Sequence, residues 1–471
     1  MQMNTTLAVG KKKQKLYQTD KILCILLLLG DIVGLLLSLS ICLWLQSRQN
    51  LNSFDPLNYL FIFLVLAGLY LADTYHPDTQ IAGLRAPSRI LISSVVVGSI
   101  IASLIYFTGV WGKDMVFKRG ILLSSLSIFT LWAMASRIWA VKWVRSQAQH
   151  SRWLILGADK KAILFGKTFL ECSSLGQLVV LITSQQKINE LAKSNRVSAG
   201  SLNDLPQWSQ QAWSGVVVTS PMELSDAQTQ QLMQLRLSGV SIYGIPDICE
   251  TLWYKLPSFL LQDNWLAFGA GFNLASDSIS QKLKRLLDII LAWSLFLFFS
   301  PLMLLVVLAI KLDSPGSVFY TQIRTGLEGK PFRVYKFRSM YQDAEKRGAQ
   351  WANERDPRIT TVGRWLRLTR IDELPQILNV LWGEMSLIGP RPERPEFDIK
   401  LRQEIPYYDL RYVVKPGITG WAQVMYPYGA SVEDAYEKLA YDLYYIKNYS
   451  LALDLAIVFK TIRVVLLGKG R

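Results

Sequence analysis

The chain has 471 residues, 51% of them hydrophobic and 18% charged, and its 51 Lys+Arg against 36 Asp+Glu leave a net charge of +15. This is not the composition of an ordinary soluble enzyme, and it requires a membrane portion before domains are counted. The two histidines, His76 and His150, and the four cysteines, Cys24, Cys42, Cys172 and Cys249, all precede residue 250, which excludes a Ser-His-Asp triad, a Cys-His pair, a zinc site and a disulfide framework from the C-terminal half.

Apolar runs at residues 22–45, 57–72, 90–110 and 121–140 each come near the roughly 20 residues that cross a bilayer as a helix. The first is too long for a removable signal peptide and lacks a small-residue cleavage site. Four membrane-spanning helices are therefore expected. Cytoplasmic loops carry the excess of Lys and Arg. Lys11, Lys12, Lys13, Lys15 and Lys21 in the N-terminal tail, Arg85 and Arg89 in the second loop, and Lys142, Arg145 and Arg152 after the fourth run put both ends of this unit in the cytoplasm. Lys113, Lys118 and Arg119 in the third loop dissent. Asp31 sits in mid-membrane, where a charge is costly; with no acid or base read at matching depth, it is assigned to helix packing.

A fifth apolar run, residues 286–310, contains Asp288 near its start and Ser300-Pro301 near its middle. Lys282, Lys284 and Arg285 precede it, and Lys311, Arg324, Lys330, Arg333, Lys336 and Arg338 follow. Basic flanks on both sides argue that both ends stay in the cytoplasm. Proline removes a backbone donor and bends a helix, and a neighbouring serine hydroxyl can satisfy the freed carbonyl. The pattern predicts a re-entrant helix-break-helix that enters one leaflet and returns, with a kinked spanning helix as the alternative.

From Arg152 onward the pattern changes to short β-like runs at residues 153–156, 178–182, 215–219 and 240–244, with helices expected near 160–172 and 225–238. Strands alternating with helices predict a parallel α/β layer. The first turn, Leu156-Gly157-Ala158-Asp159-Lys160-Lys161, holds only the first glycine of the G-x-G-x-x-G dinucleotide fingerprint. A structural or regulatory Rossmann-like module is the reading, although two lysines near a helix N-terminus can attract phosphate.

The C-terminal stretch is punctuated by arginines and Gly-Pro turns: Lys336-Phe337-Arg338-Ser339-Met340, then Gly363-Arg364-Trp365-Leu366-Arg367, then Arg370-Ile371-Asp372-Glu373-Leu374-Pro375-Gln376. Next come Gly383 to Pro392 (GEMSLIGPRP) and Lys415 to Val424 (KPGITGWAQV). Asp372 has two readings. It can cap a helix, alone or with Thr369 in a capping box, since proline at 375 is tolerated in a first turn. Alternatively, Asp372 and Glu373 divide labour, one attacking phosphorus and the other holding a metal on the phosphates; Mg²⁺ suits a site without His or Cys. Arg391, between two prolines, is placed to grip phosphate through two hydrogen bonds. Arg367, Arg338 and Lys336 join it as candidate phosphate-binding residues, whereas Arg364 and Arg370 are read as surface or headgroup charges. Residues 451–467 are apolar except for Asp454, Lys460 and Arg463, like an interfacial helix with a basic edge.

Residues from about Ser280 to the C-terminus resemble the bacterial sugar transferases that are polyprenyl-phosphate sugar-1-phosphate transferases. The resemblance rests on Lys284-Arg285, Ser300-Pro301, KFRSM, LRLTRIDELPQ, GEMSLIGPRP and KPGITGWAQV. With the preceding spans and α/β module, the chain is similar to the large-membered monotopic branch. The resemblance implies that Asp372 is the nucleophile toward a UDP-sugar, releasing UMP and forming an aspartyl-phosphosugar intermediate that undecaprenyl phosphate then accepts. Glu373 would be the Mg²⁺ ligand and Arg391 a phosphate binder. It also implies initiation of exopolysaccharide, O-antigen or capsule assembly at the inner membrane, membrane-lipid contact, a homodimer and no nucleic-acid partner. A non-enzymatic sensor or scaffold, and a glycosyltransferase releasing UDP, are the alternatives.

The expected architecture is an α-helical membrane bundle, a Rossmann-like α/β domain and a mostly helical catalytic domain with minor β on a re-entrant helix. In residues, these are a basic tail at 1–20, four transmembrane helices over 21–144, the α/β domain over 145–270, the linker and re-entrant helix over 271–311, and the catalytic domain over 312–471. Sugar contacts are expected in residues 341–361 and 426–428.

Overall fold

The computed structural model describes residues 15–47, 56–72, 74–75, 85–108, 119–149, 151–157, 159–172, 177–182, 197–219, 224–261, 272, 279–341, 357–426, 429 and 431–466. Its contacts divide the chain into two compact units, Met1–Ile245 and Pro246–Arg471.

The first unit begins with helices α1 (Lys15–Ser47), α2 (Pro56–Leu71), α3 (Arg85–Thr108) and α4 (Arg119–Gln149). Leu35, Leu39, Phe61, Val65, Ile101, Leu126 and Phe129 interlock in its core, while Leu26, Leu29, Leu37, Val95 and Leu131 face outward. That is an apolar surface of the kind lipid covers. Gly34 lets the Trp132 ring lie against α1: an added Cβ would stand 2.4 Å from it. Among the described residues four helices are long and apolar enough to cross a membrane, but they are not the expected four. They include α1, α3, α4 and the fifth apolar run; α2, with 16 residues, is shorter than that length.

Asp31 is not the unpartnered charge of the sequence reading. Arg137 of α4 grips it with both terminal nitrogens, at 2.5 and 2.6 Å, and the Tyr75 hydroxyl donates to the same carboxylate at 2.5 Å. Both charged side chains are fully buried. The partner was missed because helix pairing brings together residues 106 positions apart, a distance at which periodicity carries no information.

The α/β layer follows as β1 (Arg152–Gly157), α5 (Asp159–Cys172), β2 (Gln177–Ile182), β3 (Val197–Ser201), β4 (Gly215–Val218), α6 (Asp226–Leu237) and β5 (Ile242–Gly244). All five strands are parallel, in the order β3-β2-β1-β4-β5. The central strands are fully buried on both faces, hence their continuous Leu, Ile and Val runs. Strand β3 went unread because Val-Ser-Ala-Gly-Ser has a single buried apolar residue, Val197.

The second unit opens with α7 (Ile245–Trp253), whose first residue belongs to the first unit. Residues 246–261, read from sequence as part of the α/β domain, contribute to the C-terminal core: Leu256 and Leu261 pack with Leu401, Tyr408, Leu439 and Leu443. Then come α8 (Ile279–Asp313), the antiparallel hairpin β6 (Phe319–Thr325) and β7 (Pro331–Phe337), α9 (Thr361–Thr369), α10 (Gln376–Trp382) and β8 (Ser386–Ile388). The chain closes with α11 (Pro395–Glu404), β9 (Gly417–Thr419) parallel to β8, α12 (Trp421–Met425), α13 (Val432–Lys447) and α14 (Leu451–Leu466).

The expected helix-break-helix is one 35-residue helical element, α8, with Pro301 inside it. Pro301 has no N–H for the carbonyl of Leu297, and the Ser300 hydroxyl supplies a donor to that same oxygen at 2.8 Å. One face of α8 packs on the unit along most of its length. Lys284 pairs with Asp454 of α14 at 2.6 Å, and Arg285 donates to the carbonyls of Val380 and Leu381 at the end of α10. Asp288 accepts from the Ser386 hydroxyl and the Leu387 N–H. Further on, Ala292 packs with Val334 and Val380, and Val306 and Ile310 pack with Phe337 and Leu366. Trp293, Leu297, Phe298, Leu304, Leu305 and Leu308 on the other side are exposed. The apolar residues Leu455, Phe459, Ile462 and Val465 of α14 are exposed as well, on one helical face.

Replacing Arg137 with Leu leaves Asp31 as a buried, uncompensated charge and is expected to destabilise the detergent-solubilised protein by about 3–5 kcal/mol. The paired change Asp31→Asn, Arg137→Leu recovers most of that loss. Thermal unfolding of the three proteins checks this; equal losses in the single and paired variants would contradict it.

Candidate active site

Asp372 and Glu373 lie at a junction that the sequence alone does not reveal. Helix α9 starts at the N-cap Thr360, whose side chain accepts from the Gly363 N–H, and ends at Arg370, a non-glycine residue in the left-handed region with φ 60°. That reversal throws the chain into a single 3₁₀ turn, Ile371–Glu373, before α10 begins. Neither capping reading of Asp372 survives. The N-cap of α10 is Pro375, with no side-chain cap, and the Thr369 hydroxyl donates back to the Trp365 carbonyl at 2.8 Å. Both carboxylates are buried, and Oδ1 of Asp372 has no hydrogen-bond partner among the described residues. A buried, unsatisfied carboxylate oxygen is costly and demands an explanation.

Glu373 is held from several sides. Its Oε1 accepts from Lys336 Nζ of β7 at 2.8 Å and from an Arg391 terminal nitrogen at 2.5 Å; its Oε2 has one long contact, to the other Arg391 nitrogen at 3.3 Å. Arg370 approaches Oε1 to 3.9 Å, so this arginine, read from sequence as a surface charge, belongs to the site. Burial pushes the Glu373 carboxyl up, but Arg391 and Lys336 overcome it and hold the group well below the usual carboxylate range. Burial, then the charge of Glu373, pushes Asp372 the opposite way, against Lys336, Arg367 and Arg370. Adjacent carboxylates with opposed shifts are suited to different roles. Burial lowers Lys336, while Glu373 pulls it back toward its charged form.

The structure thus brings Asp372, Glu373, Lys336, Arg391 and Arg367 together. Arg367 also donates from Nε to the Ser339 hydroxyl at 2.9 Å. Arg338 it spends elsewhere: the guanidinium is buried against the Ser314 and Pro315 carbonyls, at 2.6 and 2.9 Å, just past the end of α8. Ser300 and Pro301 stay within α8. Sequence reasoning missed Asn379, whose amide donates to the Arg333 carbonyl and Glu384 while its oxygen accepts from the Tyr335 N–H. It ties α10 to β7, the strand that carries Lys336. The signal was available, since Asn379 is the one polar residue in the run Ile377–Trp382. Of the expected sugar contacts, residues 342–356 and Pro427–Tyr428 lie outside the described residues.

Close backbone packing explains the motif glycines. A Cβ on Gly363 would stand 2.0 Å from the Ser339 carbonyl oxygen, one on Gly417 2.1 Å from the Gly389 nitrogen, and one on Gly420 2.1 Å from the Gly389 oxygen. Gly389 begins the turn that carries Arg391, so β8, β9 and that turn are in direct backbone contact.

No group of three or more His, Cys, Asp or Glu side chains forms a metal cluster among the described residues. The donors nonetheless fit a Mg²⁺ that takes one or two carboxylates and completes its shell with phosphate oxygens and water. Among the described residues Glu373 Oε2 has a single 3.3 Å hydrogen bond and Asp372 Oδ1 has none.

A buried carboxylate pair ringed by Lys336, Arg367, Arg370 and Arg391 has the charge pattern that a phosphorylated ligand would require, on a unit whose long helix α8 presents an apolar face. A family model described as bacterial sugar transferase matches residues 279–468. A UDP-N-acetylgalactosamine-undecaprenyl-phosphate N-acetylgalactosaminephosphotransferase of Aeromonas hydrophila is 47% identical over 239 residues, 51% of this chain and 55% of that protein. A UDP-glucose:undecaprenyl-phosphate glucose-1-phosphate transferase of Escherichia coli (strain K12) is 33% identical over 375 residues, 75% of this chain and 79% of that protein. An exopolysaccharide production protein of Rhizobium leguminosarum bv. phaseoli is 42% identical over 195 residues, 98% of its own length. The chain belongs to the bacterial sugar transferase family, whose relatives named here include enzymes of phosphotransferase type.

Gly417→Ala drives a methyl into the Gly389 backbone and is expected to destabilise the second unit by about 1–3 kcal/mol, the usual cost of overpacking. A fall in the thermal unfolding midpoint checks it, and an unchanged midpoint would show that the two strands separate freely.

Proposed function

We propose that the chain transfers a sugar-1-phosphate from a UDP-sugar to undecaprenyl phosphate, releasing UMP, in two displacements at one phosphorus. The observation that carries this reading is Asp372, a buried carboxylate with an unpartnered oxygen among four cations. In the first step an Asp372 oxygen bonds to the sugar-bearing phosphorus. The bond from that phosphorus to the bridging oxygen breaks, and UMP leaves with the electron pair. In the second step a phosphate oxygen of undecaprenyl phosphate attacks the same phosphorus and Asp372 departs as a carboxylate, leaving a diphosphate-linked lipid sugar. A covalent carboxylate intermediate splits one difficult transfer into two.

Lys336, Arg367 and Arg391 neutralise the charge that develops on the phosphoryl oxygens. Glu373 stays ionised and keeps Lys336 and Arg391 convergent on the site. Mg²⁺, held by Glu373 and phosphate oxygens, would supply further neutralisation of the diphosphate. The reading includes a homodimer and a place at the start of exopolysaccharide, O-antigen or capsule assembly, which the family resemblance implies.

The site belongs on the cytoplasmic face of the bacterial inner membrane, with α8 as a re-entrant segment. What supports this is the one-sided packing of α8. A 35-residue helix is about 52 Å long, against a hydrocarbon core of about 30 Å. Its contacts with described residues at Lys284, Ala292, Val306 and Ile310 go to the same catalytic unit. A crossing helix would carry Phe337 and Leu366, packed on its far end, and with them the neighbouring charges Lys336, Arg338 and Arg367, through the hydrocarbon.

Purified protein incubated with a panel of UDP-sugars and undecaprenyl phosphate is expected to release UMP; UDP in its place, or no nucleotide, overturns the reaction. Asp372→Asn is expected to cut UMP release by about 10³-fold or more with an unchanged unfolding midpoint. A reporter active only in the cytoplasm, fused to the C-terminus, is expected to be active, and silence would favour a spanning α8.

A further inference from the structure

The turn that presents Arg391 is clamped. Each carbonyl of Pro390-Arg391-Pro392 accepts a hydrogen bond: Pro390 from the Gly417 N–H at 2.9 Å, Arg391 from an Arg411 terminal nitrogen at 2.9 Å, and Pro392 from Arg324 at 3.1 Å. The two flanking prolines fix φ on either side. From this turn the Arg391 guanidinium reaches Glu373 with both terminal nitrogens.

Arg411 is the buried member of this clamp. It lies on the 3₁₀ segment Tyr408–Val413 and is only 8% exposed. Its other terminal nitrogen donates to the Tyr408 hydroxyl at 2.7 Å, and the nitrogen on the Arg391 carbonyl also reaches Asp442 of α13 at 3.1 Å. Tyr408 donates onward to Asp398 at 3.0 Å, and the same carboxylate accepts from Tyr412 and Thr325. The guanidinium Nε, by contrast, has no hydrogen-bond partner among the described residues. Burying a guanidinium is expensive, and apolar side chains of similar volume commonly stabilise a core as well or better. What they cannot do is donate to the Arg391 carbonyl while braced from behind by a tyrosine and a carboxylate.

We infer that Arg411 is a positioning residue: through the Arg391 carbonyl it aims the Arg391 guanidinium at the phosphate that Asp372 attacks. This rests on the proposed reaction. Misplacement of a charge-stabilising group by about an ångström can cost about 100-fold in rate without loss of binding. Arg411→Lys keeps the buried charge but cannot reach the tyrosine, the carboxylate and the carbonyl together.

The test is a double-variant cycle on the full-length protein, using the UDP-sugar that the wild type turns over fastest and reading UMP release. Arg411→Lys is expected to lower kcat by about 10- to 100-fold, with KM for the UDP-sugar changed less than about three-fold. In an Arg391→Lys background the same change should cost less than about two-fold, because the group it positions is gone. Tyr408→Phe removes a single oxygen from the brace, preserves the packing, and should give the same pattern at smaller amplitude. Equal fold-losses in both backgrounds, or losses in KM rather than kcat, overturn the positioning role and leave the reaction standing. A wild type that releases no UMP overturns both.

Discussion

The carboxylate of Glu373 is the interaction on which the catalytic unit turns. It sits in a 3₁₀ turn yet joins that turn to β7 through Lys336 and to the Pro-Arg-Pro turn through Arg391. Arg391 and Lys336 hold the Glu373 carboxyl well below the usual carboxylate range, while its neighbour Asp372 is pushed up by burial and by Glu373 itself. Two residues adjacent in sequence therefore receive opposite electrostatic environments from one local fold. The left-handed Arg370 makes this possible by ending α9 abruptly, so that both carboxylates turn inward instead of spiralling around a helix.

The same economy applies to α8. Lys284 and Arg285, read as flanking charge, and Asp288, read inside the apolar run, are spent on specific partners: Asp454, the end of α10, and the Ser386 hydroxyl with the Leu387 N–H. Cations at the C-terminus of α10 also complement its dipole. Charges at the start of a long apolar helix thus act through specific packing that ties α8 to its own unit.

Much of this was legible in the sequence because it is local. The apolar runs, the central β-strands and the Ser300 hydroxyl serving the carbonyl that Pro301 frees follow from spacing and side-chain chemistry, whereas Lys336, Asp372, Glu373 and Arg391 were legible only as candidates, by residue type and by the family resemblance, and their meeting in space was not. What was not legible depends on distant pairing. Arg137 answers Asp31 across 106 residues, Arg338 turns to Ser314 instead of phosphate, and the edge strand β3 has almost no apolar signal. Residues 246–261 read like a continuation of the α/β pattern, but Leu256 and Leu261 find their core among Leu401, Tyr408 and Leu439. Arg411 illustrates the limit most clearly, since a buried arginine has no sequence signature apart from its neighbours in space.

The contact among Gly389, Gly417 and Gly420 has a bearing on what a motif is. These glycines look like catalytic punctuation, yet each is required because another backbone occupies the space of its Cβ. Much of the recognisable pattern is therefore the imprint of two strands and a turn pressed together, with Arg391 riding on that contact while the two carboxylates ride on the separate turn after α9. Transplanting Asp372, Glu373 and Arg391 onto another scaffold would carry over the side chains without the backbone contact that places the arginine opposite the acids.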